Sequence, residues 1–155
     1  GVSSAASDVY KRQEVLLPVD VVVAKEIKAD ATIEIKSVKE VGENDLILDI
    51  GPKTREKFAK VIEKVKTLIW NGPVGMFELP PFAEGTRALS QAIAKSNAFT
   101  IAGGGDTLAA IKIFAVGDSI DYISTGGGAF LEYLQGHPLP AVQALIEARD
   151  RHNDL

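Results

Sequence analysis

From Val15 onward the chain alternates short apolar runs with amphipathic stretches, and no other feature restricts its fold as much. Leu16–Ala24, Leu46–Ile50, Thr67–Trp70, Ala98–Ala102 and Tyr122–Ser124 have the length and the Val/Ile content of buried strands. Ala31–Val38 places Ile33 and Ile35 between polar residues, as a half-exposed strand does. Helical patterns separate most of these runs. Phe58, Val61, Ile62 and Val65 fall at i, i+3, i+4 and i+7. Phe82–Lys95 carries Leu89, Ala92 and Ile93 on one side, and Asp106–Ala115 presents Leu108, Ile111 and Ala115. Phe130, Leu131 and Leu134 open another helix, broken by Gly136 and Pro138, and a last one begins near Pro140 and presents Val142, Leu145 and Ile146.

Strand and helix in alternation, joined by short loops, predict a parallel sheet, because parallel neighbours need a crossover connection. The expected fold class is α/β: a three-layer, Rossmann-like parallel sheet with helices on both faces, and here a partial domain. At 155 residues the chain suits one domain. Gly1–Glu14 differs from the rest, being small and polar and then without amphipathic period, and reads as a disordered arm or gene-model remnant ahead of a domain at 15–155.

Composition excludes several functions. Hydrophobic residues at 46% and charged residues at 25% describe a globular chain. The net charge of -4, without a basic stripe, offers no field for nucleic acid or an anionic membrane. With no cysteine there is no disulfide, thiolate metal site or cysteine nucleophile. No apolar run approaches the roughly 20 residues of a membrane span, and no secretory pattern opens the chain, so a cytoplasmic protein is expected.

In open parallel sheets ligands bind beyond the carboxyl ends of the strands. Three loops occupy such ends: Asn71–Glu78, Gly103–Thr107 and Thr125–Gly128. In Gly103-Gly104-Gly105-Asp106-Thr107, glycines allow successive amides to line an anion-binding hollow at a helix N-terminus, and Asp106 offers an oxygen ligand for Mg²⁺. A tight turn with Asp106 as helix cap accounts for that loop equally well. The second triplet, Gly126-Gly127-Gly128 after Ser124-Thr125, favours the anion reading, because each needless glycine weakens a fold by about 0.5–1 kcal/mol. Other phosphate motifs fail. Leu108 and Leu131 stand where a dinucleotide fingerprint needs its third glycine, and Pro52-Lys53-Thr54 lacks the Walker glycine. Protein-kinase elements are missing, and His137 and His152, far apart, read as surface residues rather than zinc ligands.

Trp70-Asn71-Gly72-Pro73-Val74-Gly75-Met76-Phe77-Glu78, together with both glycine loops, Leu16-Leu17-Pro18-Val19-Asp20 and Asp49-Ile50-Gly51-Pro52-Lys53-Thr54, resembles the phosphoglycerate kinase family in order and spacing, from about Val15 to about Ala148. Met76 departs from the family's usual Val, but both are apolar. The resemblance implies that Glu78 binds the ribose hydroxyls, that Leu48 and Met76 flank the adenine, and that Asn71 contacts the nucleotide near its sugar and phosphates. It implies further that Gly103 belongs to the nucleotide site, that Gly104, Gly105 and Thr107 hold the phosphates of ADP or ATP, that Asp106 ligates the nucleotide's Mg²⁺, and that Gly126, Gly127 and Gly128 face the transferring phosphoryl group. Taken alone, Trp70 reads as core, Glu78 as a solvated charge and Leu48 as sheet interior.

The family's reaction, 1,3-bisphosphoglycerate plus ADP to 3-phosphoglycerate plus ATP, also uses an N-terminal domain that binds 3-phosphoglycerate and supplies an arginine, and a lysine-bearing glycine stretch. Neither is recognisable in this sequence. Losing a transition-state arginine costs a factor of roughly 10³–10⁵ in other phosphoryl-transfer enzymes. The chain alone is therefore expected to be inactive, to present an open sheet edge prone to aggregation, and to carry a mobile tail at Arg149–Leu155. The resemblance implies a monomer. A stand-alone Mg-nucleotide-binding module and a truncated, non-functional fragment remain alternatives, with a dinucleotide dehydrogenase behind them.

Overall fold

The structure is a computed structural model and describes residues 14–153. Of the arm assigned to Gly1–Glu14, all but Glu14 lies outside the described residues. The strands are β1 (Asp20–Ala24), β2 (Glu34–Ser37), β3 (Leu46–Ile50), β4 (Thr67–Trp70), β5 (Phe99–Gly103) and β6 (Tyr122–Ser124). The helices are α1 (Pro52–Ile62), α2 (Glu84–Lys95), α3 (Gly105–Ile113), α4 (Gly128–Leu134) and α5 (Pro140–Asn153). The residues Arg149 and Asp150, expected in a mobile tail, belong to α5.

The α/β expectation holds in the second half. There β4, β5 and β6 form a parallel sheet in that order, with α2 and α3 in the crossovers. The first three strands differ: they pair antiparallel, in the order β2-β1-β3, as a separate sheet. For β1 and β2 the reason lies in the link Lys25–Ile33, which falls short of the roughly dozen residues that a parallel crossover needs. Strands β2 and β3, both antiparallel to the central β1, run parallel to each other, and Val38–Asp45 crosses between them. Asp45, in the second link, ties them down by receiving Lys25 Nζ at 2.6 Å and Lys36 Nζ at 2.8 Å.

Two cores result. Trp70, Phe77, Ile93, Ala102, Ala110 and Ile111 fill the larger, between one face of the parallel sheet and helices α2 and α3. Val22, Ala24, Ala31, Leu48 and Phe82 make the smaller, with Met76 and Leu79 packed against it. The helix expected over Phe82–Lys95 starts later, at Glu84, because Pro80–Phe82 forms a single 3-10 turn that buries Phe82 completely. The opposite face of the parallel sheet is mostly bare: Ile69 is 48%, Phe99 54% and Tyr122 57% exposed. Helix α4 reaches that face at Gly103, where a Cβ would stand 2.5 Å from the Phe130 ring. Among the described residues no helix is long and apolar enough to cross a membrane.

Candidate functional site

The parallel register pairs Trp70 with Ala102 and Gly103 with Ser124. The loops after β4, β5 and β6 therefore leave the same end of the sheet, on strands about 4.8 Å apart. The two glycine triplets are neighbours.

Buried hydroxyls brace these loops. The Gly72 amide donates to Thr107 Oγ1 at 2.7 Å, joining the first loop to the second. Asn71 Oδ1 lies where a Cβ on Gly104 would be 3.0 Å away, and Gly104 itself has φ 98°, so only glycine suits this position. Further along the first loop, the Val74 amide donates to Thr86 Oγ1 at 2.9 Å, and that hydroxyl donates back to Val74 O at 2.6 Å. Met76 N donates to Leu48 O at 2.9 Å.

Gly105 and Gly128 are different. Neither has a positive φ, and a Cβ on either would meet nothing within 4 Å. The fold would accept alanine at both. What distinguishes them is open space where a side chain would go. Helix α3 begins with Gly104 as N-cap and no side-chain cap, so Asp106 does not play the capping role that the sequence left open. Asp106 is exposed and forms no ion pair or hydrogen bond among the described residues. The amides of Gly105, Asp106 and Thr107, in the first turn, have no intrahelical acceptor. In the last loop Gly126 N donates to Ser124 Oγ at 3.3 Å, while the Gly127 and Gly128 amides meet no acceptor among the described residues.

The start of α1 shows what a filled helix N-terminus looks like in the same molecule. Asp20, from β1, accepts the Lys53 amide at 3.0 Å, the Thr54 amide at 2.8 Å and the Thr54 hydroxyl at 2.6 Å. Burial acts to raise the Asp20 carboxyl, but the Thr54 hydroxyl and the Lys53 and Thr54 amides outweigh it and hold it below the usual range. A Cβ on Gly51 would stand 2.3 Å from the Asp20 carboxyl carbon. Pro52-Lys53-Thr54 thus has its anion built in, whereas the start of α3 has none.

Of the remaining residues singled out from sequence, Glu78 is exposed and makes no ion pair among the described residues. Thr107 is buried and its hydroxyl oxygen accepts from Gly72, while its amide, in the first turn, has no intrahelical acceptor. Leu48 belongs to the smaller core and Met76 packs against it half-buried, so of the two Met76 has the more accessible side chain. Trp70 is core, and its Nε1 donates to Gly72 O at 3.1 Å. The sequence reading assigned no role to Asp20, Asp49 or Thr86, all buried. A single carboxylate within an apolar strand, as in Leu46–Ile50 or Asp20–Ala24, is the signal that marks the first two.

The residues 3–137 match the family model described as phosphoglycerate kinase, which is most of the chain. The chain belongs to the phosphoglycerate kinase family. Among solved structures it is similar to phosphoglycerate kinase from Coxiella burnetii, with 47% identity and a TM-score of 0.84 over 90% of this chain. It is also similar to the phosphoglycerate kinase from Pyrococcus horikoshii OT3, with 32% identity and a TM-score of 0.77 over 94% of this chain. In both cases the chain spans 36% of the solved kinase chain. The family match begins at residue 3, inside the stretch set apart by composition, and ends before α5.

Proposed function

We propose that this chain supplies part of the Mg-nucleotide site of a glycolytic phosphoglycerate kinase, a phosphotransferase with a carboxyl group as acceptor. The observation that carries the reading is the pair of adjacent glycine loops, in which Gly105 and Gly128 are glycines the fold does not require. Open amides there suit an extended polyanion. ADP or ATP would lay its phosphates along Gly103, Gly104, Gly105 and Thr107, with Asn71 beside them. Glu78 would hold the ribose and Met76 the adenine, with Leu48 behind it. Gly126, Gly127 and Gly128 would face the phosphoryl group in transit between 1,3-bisphosphoglycerate and ADP, or between ATP and 3-phosphoglycerate.

Among the described residues no three acidic or imidazole side chains converge. That suits Mg²⁺ arriving with the nucleotide and gaining Asp106 as its one protein ligand, since Mg²⁺ commonly keeps substrate phosphates and waters in its shell. The ion would neutralise charge on the phosphates when bound.

Transfer itself needs positive charge at the phosphoryl oxygens. The three loops contain no lysine or arginine. Binding without turnover is therefore the expected behaviour of these 155 residues alone, with the 3-phosphoglycerate site and the transition-state arginine contributed by a further domain. In this reading the working enzyme is monomeric and cytoplasmic. Calorimetry with Mg-ADP tests it: Asp106→Ala and Glu78→Ala should each weaken binding about tenfold or more, the first losing most of its Mg²⁺ dependence. Heat unchanged by either substitution, or a 3-phosphoglycerate-dependent ATPase rate from the pure chain, would contradict the proposal.

A further inference from the structure

Asp49 sits in a slot between two glycines. Its side chain is 3% exposed; Oδ2 accepts the Gly85 amide at 2.7 Å and Oδ1 accepts the Ile50 amide at 2.8 Å. On the side of the first loop, Gly75 comes so close that a Cβ there would stand 2.6 Å from Asp49 Oδ1 and 2.6 Å from Leu48 O. A Cβ on Gly85 would come within 2.0 Å of the same carboxylate oxygen. One carboxylate therefore touches the end of β3, the start of α2 and the middle of the Asn71–Glu78 loop. No cation pairs with it among the described residues. The charges that face it are Arg55 on α1, which favours ionisation, and Glu84 on α2, which opposes it. Neither lies on β1, whose Val22 pairs with Asp49 in the ladder.

A buried carboxylate with two amide donors and no cation is a costly way to fill a slot that an apolar side chain could fill. Its geometry suits something else: it fixes how far Gly75 approaches β3, and Met76 and Glu78 follow Gly75 directly. We propose that Asp49 is a positioning residue of the nucleotide site, setting the loop that carries Met76 and Glu78 without touching ligand. The inference rests on the nucleotide reading above and goes beyond it, because it predicts that one end of the ligand depends on Asp49 and the other does not. The phosphate loops are held by Thr107 and by the parallel ladder, neither of which involves Asp49.

The experiment titrates the full chain, unsubstituted and as Asp49→Asn, with two probes: adenosine, and magnesium pyrophosphate. Asparagine keeps the shape of the side chain but offers one acceptor in place of two. Adenosine affinity should fall about tenfold, while magnesium pyrophosphate stays within about twofold. Equal loss of both probes, or loss of neither, overturns the inference. If the unsubstituted chain binds neither probe, the nucleotide reading fails and the inference with it, and this result is distinct from an unsplit response. Should Asp49→Asn not fold, the unsubstituted chain carries the test. Burial raises the Asp49 carboxyl to about 6, ahead of the opposing pull of the Gly85 and Ile50 amides. Adenosine does not titrate in this range, so its affinity should fall severalfold as pH drops from about 7 to about 5, and a flat profile overturns the proposal.

Discussion

Asp20 and Thr54, far apart in sequence, close on each other through both main chain and side chain. Thr54 donates its hydroxyl and amide to Asp20 Oδ1 at 2.6 and 2.8 Å, and its hydroxyl oxygen receives the Asp20 and Val19 amides at 3.1 and 3.0 Å. The pair joins β1 to the first turn of α1 with every buried side-chain oxygen satisfied. Asp20→Ala removes the acceptor and strands two helix-start amides, so it should cost about 3 kcal/mol in urea unfolding; Thr54→Val should cost a similar amount. The folded Asp20 carboxyl lies below its unfolded value of 3.8. Its contribution is thus complete above about pH 4 and disappears as pH falls through the lower, folded value. The difference between the parent and Asp20→Ala should narrow in acid.

Asp49 works in the opposite sense. Its carboxyl is raised from 3.8 to about 6, chiefly by burial, so the folded chain holds a proton that the unfolded chain releases between those values. Stability should fall as pH climbs from about 4 to about 6, by about 3 kcal/mol if the whole shift is expressed. Asp49→Asn should flatten that slope. Urea midpoints at closely spaced pH values check this, and a parent chain whose stability is level or rising across the window would contradict it.

The two carboxylates also show how far the sequence could be read. Two glycine triplets after apolar runs placed loops at the ends of β5 and β6, where a strand leads straight into a helix, and Asn71-Gly72-Pro73 marked the end of β4. The helix read from Phe58, Val61, Ile62 and Val65 is present, but it spans Pro52–Ile62, so Val65 lies beyond its end. Pairing direction in the first half was harder. Leu16–Ala24 and Leu46–Ile50 look alike whether their neighbours run parallel or antiparallel, and only the short link Lys25–Ile33 marks one pair, β1 with β2, as antiparallel. Tertiary partners were illegible. Nothing local in Asp49 points to Gly85, or in Thr107 to Gly72, since these contacts are 36 and 35 residues apart. That Gly104 needs to be glycine while Gly105 does not depends on φ and on Asn71, neither of which a residue list contains.

The bare face of the parallel sheet gives a prediction about solution behaviour. A parallel sheet is ordinarily covered on both sides, and exposed apolar faces and free edges promote association. Ile69, Phe99 and Tyr122 are each about half exposed on that face. Ile69→Lys combined with Tyr122→Lys should reduce self-association in sedimentation velocity, by several-fold at matched concentration. At exposed positions the double substitution should change unfolding free energy by no more than about 1 kcal/mol. Association unaltered by the two lysines would show that another surface, such as an edge of the antiparallel sheet, is responsible.

Gly104 and Gly105 stand side by side, and their substitutions should part company. Gly104 has φ 98° and ψ 144°, a conformation that side chains avoid, and an added Cβ would press on Asn71 Oδ1 at 3.0 Å. Gly104→Ala should therefore lower stability by about 1–3 kcal/mol as well as weaken Mg-ADP binding. Gly105 is the first residue of α3, at ordinary φ, with no neighbour where the Cβ would go. Alanine there restricts the unfolded chain and suits a helix, so stability should hold or rise by about 0.5 kcal/mol. A methyl group in front of the open amides would nevertheless obstruct a phosphate, so Mg-ADP affinity should fall about tenfold. Thermal unfolding paired with calorimetry reads both quantities on one sample. A Gly105→Ala chain that is at least as stable and binds Mg-ADP as tightly as the parent would mean that the glycine serves neither fold nor phosphate, and the anion-binding reading of this loop would lose its main support.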